Sequence, residues 1–272
     1  MLRWGCISLA LAWLAGAAPA RAQAELSGDV TLASAYMWRG LTVVNLPVLQ
    51  PSLALSAPLG LATVTGTLWS NIELGKYDGG SDISESGGTS AFNVAELDPS
   101  LEVSFPIGEH TVAVGVDGFL YVNGAGYTAD DNAAEIFMRV DLALPGAPSL
   151  GFWRDVTQID GSYVEASFSH SFALTEAVSL DLWSAAGWSI SQGENLRSDG
   201  SVRTPGNFSG DGFTHWEGTA GLSFEWRGVA IAPWLGLIVA NDPWVKYSSA
   251  TQTRDVKVWA AISIGRALWA AK

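Results

Sequence analysis

The sequence predicts an all-β fold, a transmembrane up-and-down antiparallel β-barrel of about twelve strands, on three observations. The first is a period of two. In ELDPSLEVSFPI, residues 96–107, Glu96, Asp98, Ser100, Glu102 and Ser104 alternate with Leu97, Pro99, Leu101, Val103 and Phe105. Side chains that alternate in this way point to opposite faces of a strand. The second is composition: 15% of residues are charged, Gly (30) and Trp (13) are plentiful, and mean hydropathy is positive. Yet beyond the N-terminus no apolar run approaches the roughly 20 residues of a spanning helix. A barrel looks like this because every second residue dilutes its lipid face. The third is that short and long connections alternate along the chain.

Residues 1–24, MLRWGCISLALAWLAGAAPARAQA, read as a signal peptide. Arg3 precedes an apolar run from Trp4 to about Ala18, and small residues then offer cleavage after Ala22 or Ala24. Residues 25–272 are expected to form a single outer-membrane barrel domain. Cleavage removes Cys6, the sole cysteine, and with it any disulfide or thiolate metal site. It also removes Arg3 and Arg21 from the 14 basic residues, leaving 12 against 27 acidic ones. A surface this acidic repels nucleic acid.

Twelve segments carry the alternation: about 28–38, 47–56, 61–73, 93–105, 111–122, 134–144, 149–158, 162–173, 177–190, 213–226, 229–240 and 254–266. Most are long enough to cross a bilayer at a tilt of about 45°. Tight junctions follow every second segment, at Ala57 to Gly60, Pro106 to His110, Pro145 to Pro148, Leu174 to Glu176 and Arg227-Gly228. The others are mostly long and polar: 40–46, 74–92, 123–133, 191–212 and 241–253, with a short one at 159–161. One end of the meander thus carries short turns and both termini, the other long loops, as in outer-membrane barrels.

The apolar faces are aliphatic in mid-strand, with aromatics towards the ends. Tyr36, Trp38, Trp188 and Trp216 fall near the long-loop end, and Phe105, Phe152, Phe172, Phe224 and Trp226 near the short-turn end. Two aromatic girdles match the two lipid–water interfaces. Pro51, Pro99 and Pro233 fall inside strands, where a closed barrel has no free edge, so each is expected at a bulge or a strand end.

The segment SAYMWRGLTVVNLPVLQP, followed by GTLWSNIEL, resembles the opening of the Gcw_chp family of exported Gram-negative proteins. Ser34, Tyr36, Trp38, Arg39-Gly40, Pro47, Gln50 and Trp69-Ser70-Asn71 carry the resemblance, and Glu96-Leu97-Asp98 looks like the family's next strand. Pro51 stands where a glycine is commoner, and similarity weakens beyond residue 105. The resemblance implies an outer-membrane-type barrel and supplies no activity.

No catalytic residue is expected. There is no P-loop, HExxH or CxxC, and His110, His170 and His215 lack ligand spacing. The triplet Ser169-His170-Ser171 places His170 on the lipid face and both serines on the other, against a nucleophile–base pair. Asp78, Asp82, Glu85 and Asp130-Asp131 are acidic loop residues that fit no calcium-loop spacing. No cofactor or metal is expected.

Strand parity assigns an acidic lumen: Glu96, Asp98, Glu102, Asp117, Glu135, Asp141, Asp155, Glu165, Asp181, Glu217, Glu225 and Asp255, opposed by Arg39, Arg139 and Lys257. Such a wall favours cations over anions. Arg39 and Asp255, both near the loop end, are expected to pair across the closing strands. The functional expectation is a narrow passive channel for cations or small neutral solutes. The alternatives are a filled barrel with a structural or adhesive role through its long loops and, more distantly, a lipid-modifying enzyme. The expected partners are membrane lipid and small solutes.

Overall fold

The computed structural model describes residues 24–75, 77, 91–122, 132–192, 206–247 and 255–270. Twelve antiparallel strands close into a barrel: β1 (Glu25–Ala33), β4 (Val48–Leu59), β5 (Ala62–Glu73), β6 (Asn93–Ile107), β7 (His110–Tyr121), β8 (Ala133–Asp141), β9 (Ser149–Asp155), β10 (Ser162–Ala173), β11 (Val178–Ile190), β12 (Gly212–Trp226), β13 (Val229–Ala240) and β14 (Val256–Ala270). Each pairs with its neighbours in sequence, and β14 closes on β1 from Glu25↔Ala270 to Ala33↔Ala261. Closure leaves no unpaired edge, which is what a strand surrounded by hydrocarbon requires.

The outer face is apolar. Leu53, Leu101, Val114, Ile136, Leu235 and Val258 are exposed there, while the residues alternating with them are small, polar, charged or aromatic and turn inward. Phe105, Phe152, Phe172, Trp188, Trp216, Phe224 and Trp226 are also exposed. The five short turns, at residues 60–61, 108–109, 142–148, 174–177 and 227–228, lie at the end where β1 begins and β14 ends. Gly60, Gly108 and Gly228 take positive φ in three of them, a conformation that glycine adopts without steric cost.

The prolines are accommodated in a way alternation does not foretell. They sit at neither bulges nor strand ends. Each keeps its register and interrupts one of its two ladders for two residues. Leu49↔Ile72 is followed by Ser52↔Trp69 around Pro51, Leu97↔Leu120 by Ser100↔Asp117 around Pro99, and Gly221↔Trp234 by Phe224↔Ile231 around Pro233. The missing N–H therefore costs pairing on one side only, because the opposite ladder runs through.

The first predicted strand, 28–38, is corrected. The wall strand β1 ends at Ala33, the Ser34 N–H donates to the Ala260 carbonyl at 2.9 Å, and the chain then leaves the wall. It forms a separate hairpin, β2 (Tyr36–Trp38) and β3 (Leu41–Val44), joined by Arg39-Gly40. Both turn residues have positive φ, 49° and 80°, which is the handedness that two-residue hairpin loops prefer. Tyr36, Met37 and Trp38 are buried in succession. Three consecutive buried residues mean that both faces of the hairpin are covered, and so it lies inside the barrel.

Candidate functional site

The hairpin docks against the wall through three apolar clusters. Tyr36 and Trp38 pack with Trp69 of β5 and Phe119 of β7, and Met37 packs with Ile238 and Trp259 of β13 and β14. Leu41 packs against Phe137, Trp153 and Tyr163 of β8 to β10, together with Phe208 and Val245. Tyr36 and Trp38 are therefore not girdle residues: they are buried in the lumen, 4% and 8% exposed. Their sequence positions follow β1 in phase, but the chain has already turned inward.

Residues 206–211 and 241–247, from two of the long loops, complete the filling at this end. Asp242 caps a short helix, α1 (Pro243–Tyr247), accepting from the N–H groups of Trp244 and Val245 at 2.8 and 3.3 Å. The same carboxylate accepts from the Ser209 hydroxyl at 2.6 Å. It thereby ties the β11–β12 loop to the β13–β14 loop and seats Phe208 and Val245, both fully buried, over the hairpin.

At the hairpin tip Arg39 is fully buried. Its Nη1 and Nη2 donate to Oε1 and Oε2 of Glu135 at 2.8 and 2.5 Å, a two-point match of planar fork to carboxylate. The guanidinium carbon lies 4.4 Å from the Tyr163 ring centroid, 4.5 Å from Trp38 and 5.6 Å from Trp153, all within cation–π range. Burial alone would lower the Arg39 pKa. The Glu135 carboxylate and its hydrogen bonds outweigh that, and the pKa stands above its ordinary value.

Arg39 thus pairs with Glu135, not with Asp255. Asp255 is exposed and meets Lys246 of α1 at 3.3 Å. The closing strands bring Asp255 to the right end, but the hairpin carries Arg39 across the lumen to β8. The tip is held at a second point, where Lys257 Nζ donates to the Gly40 carbonyl at 3.1 Å. Gly40 lies directly on the His215 ring, where an added Cβ would come within 2.5 Å. His215 is fully buried, accepts or donates at Nδ1 with the Thr214 hydroxyl at 3.0 Å, and has Nε2 3.7 Å from Glu217.

The wall around this tip is rich in carboxylates. Glu135 faces Asp117 of β7 and Asp155 of β9 as direct cross-strand partners, and all three are buried. Asp155 uses Oδ1 to accept from the N–H groups of Thr157, Gln158 and Ile159 and so shapes its own turn. Glu96, Asp98, Glu102 and Glu217 are buried, while Asp141, Glu165 and Asp181 are half-buried. Glu225 is exposed at the short-turn rim. Arg139 bridges Glu102 and Asp141 at 3.1 and 2.9 Å, and Asp141 also accepts from Ser149 at 2.6 Å.

Below the hairpin the interior opens. A cavity of about 540 Å³ at the short-turn end is lined by Ser179, Asp181, Thr219, Glu225, Trp234 and Ser263, among others. Above it, towards the long-loop end, two inward rings lie flat on wall glycines. Trp259 covers Gly236 and Trp153 covers Gly151, with ring atoms where a Cβ would stand. The long-loop half of the lumen is obstructed by the hairpin and its loop partners, packed together with the wall aromatics Trp69, Phe119, Phe137, Trp153 and Tyr163.

The remaining residues singled out by the sequence do not converge. His170 is exposed, edge-on to Phe172 at 4.3 Å. His110 Nδ1 accepts from the Ala143 N–H at 3.2 Å and pins a turn. Arg154, on the outer face, pairs with Asp160 at the strand end. Asp78, Asp82, Glu85, Asp130 and Asp131 lie outside the described residues, as do residues 1–23.

No family model and no curated protein matches the chain. Among solved structures it is similar to an outer-membrane channel from Pseudomonas putida F1, at 13% identity and a TM-score of 0.53, covering 93% of this chain and 100% of that one. It also aligns with the translocator domain of the autotransporter NalP from Neisseria meningitidis, at 9% identity, 97% and 94% coverage and a TM-score of 0.44. A third is LpxR from Salmonella typhimurium, at 11% identity, 88% and 99% coverage and a TM-score of 0.42. The chain has the closed twelve-stranded fold of an outer-membrane β-barrel.

Proposed function

We propose that this chain is a narrow passive channel of a Gram-negative outer membrane, preferring cations or small neutral solutes, and that it works without a catalytic cycle. The hairpin β2–β3 is its closure at the long-loop end, which faces the exterior, while the wide cavity faces the periplasm. The observation that carries this reading is the lumen charge: ten inward carboxylates along the wall, from Glu96 to Glu217, meet Arg39, Arg139 and Lys257. A low-dielectric wall of that sign concentrates cations and excludes anions. The likeness to a solved outer-membrane channel agrees with it.

The filled long-loop half favours a second reading, a barrel that never conducts and acts through its outer loops. Single-channel recording of the refolded mature chain under a salt gradient separates the two. A channel gives a cation-selective reversal potential that moves towards anions when Glu96, Asp98 and Glu102 are neutralised. A folded barrel that stays silent, even with the hairpin anchor removed, is structural or adhesive.

A further inference from the structure

The groups that hold Arg39 belong mainly to the wall. Glu135 supplies both carboxylate oxygens, and Tyr163 and Trp153 supply ring faces at 4.4 and 5.6 Å. These partners are fixed independently of the arginine. Tyr163 lies near-parallel to both Phe208 and His215, with centroids at 5.8 and 6.4 Å and planes within 13° and 8°. Trp153 lies on Gly151, and its ring meets Phe137 at 6.2 Å. Glu135 is set between Asp117 and Asp155, so a cation at this point is favoured by three neighbouring carboxylates. A planar, weakly hydrated cation with a donor fork suits a carboxylate flanked by aromatic faces better than an ammonium does.

The occupant is attached differently. The hairpin has its own small ladder, Tyr36↔Val44, Met37↔Thr42 and Trp38↔Leu41, and among the described residues no strand pairing joins it to the barrel sheet. It is seated by side chains and by the Lys257 contact to its turn. Such a unit can withdraw without unzipping the wall.

We propose that Glu135, Tyr163 and Trp153 form a preorganised guanidinium-binding site, that Arg39 occupies it as a tethered stand-in, and that its ligand is a guanidinium-bearing organic cation that competes with Arg39. The proposal rests on the channel reading for its role in transport, where it names the solute class. Ligand entering from the long-loop side takes the carboxylate, the tip loses its anchor, and the lumen opens behind it.

The test uses the full mature chain carrying Arg39→Ala, with ethylguanidinium and ethylammonium as paired probes of equal charge. Ethylguanidinium is expected to raise the melting temperature of the variant, and to block its conductance, at about one tenth of the ethylammonium concentration. Adding Glu135→Gln should erase that difference. Equal effects of the two cations overturn the proposal and leave the channel reading standing, as does a preference that survives Glu135→Gln. Selective stabilisation of a variant that conducts nothing supports the site and overturns the channel reading. Should Arg39→Ala not fold alone, recovery of the folded, heat-modifiable form with ethylguanidinium and not ethylammonium supports the site, and recovery with neither overturns it.

Discussion

Arg39 and Glu135 stand 96 positions apart and meet inside the barrel as a two-point pair, at 2.8 and 2.5 Å, with both side chains shielded from solvent. The pair joins the tip of an inserted hairpin to the wall near its long-loop end. It also places one positive charge against the central member of a row of three carboxylates. Its worth is therefore asymmetric: losing the arginine leaves a buried carboxylate beside two others.

Arg39→Ala is expected to destabilise the barrel by about 3–5 kcal/mol, the cost of breaking a buried pair from one side. Replacing both partners, with Arg39→Met and Glu135→Leu together, should cost far less, because no charge is stranded. Urea unfolding in detergent, followed by tryptophan fluorescence, measures both. Under the channel reading Arg39→Ala also conducts more than the parent, since the tip has lost its main anchor.

Gly40 tests the seating of the hairpin without touching a charge. Its φ of +80° disfavours any side chain, and an added Cβ would fall 2.5 Å from the His215 ring. Gly40→Ala should lower stability by more than about 1 kcal/mol, from the backbone term before the clash is counted. The wall ladders do not involve this residue, so the heat-modifiable barrel should still form. Conductance that rises in a folded Gly40→Ala protein would tie the loss to the hairpin, and unchanged conductance would show that the tip does not obstruct the path.

The barrel was legible because alternation and loop length report directly on a wall strand and on which end it turns at. The segments read as 162–173 and 229–240 match β10 and β13 residue for residue. The site was legible only in halves. Parity turns Glu135 inward, but which base meets it depends on the path of a loop, and a period of two carries no information about that. Tyr36-Met37-Trp38 continues the β1 pattern in phase, so the departure from the wall is invisible to periodicity. The available signal was Arg39-Gly40, a two-residue turn between the β-prone runs YMW and LTVV, which reads as a hairpin in its own right.

Arg139 sets the balance of charge in the lower lumen, where it bridges Glu102 and Asp141 at 3.1 and 2.9 Å. Arg139→Gln leaves these two carboxylates without that counter-charge. The reversal potential in a salt gradient should move further towards the cation limit. The shift should be larger in dilute salt, because mobile ions screen a half-exposed wall charge within about 10 Å at 0.1 M. A shift towards anions would contradict an acidic conduction path.

Which face meets lipid can be tested on the β6–β7 hairpin alone. Val114 is in mid-strand, exposed, and flanked across the ladders by Val103 and Met138. Its neighbour Ala113 is fully buried on the inner face, opposite Ser104 and Arg139. If the outer band contacts hydrocarbon, Val114→Arg places a charge near the bilayer centre and should cost about 2–4 kcal/mol in vesicles. At an exposed position of a water-soluble barrel the same change would fall within about 0.5 kcal/mol of neutral. Moving the arginine along the outer face to Ile107, close to the short turn at residues 108–109, should reduce the penalty to about 0–1 kcal/mol, since the interface admits a snorkelling side chain. Unfolding midpoints of the two variants in phospholipid vesicles therefore carry the decision: a depth-dependent difference requires a membrane around β6 and β7, and equal midpoints deny one.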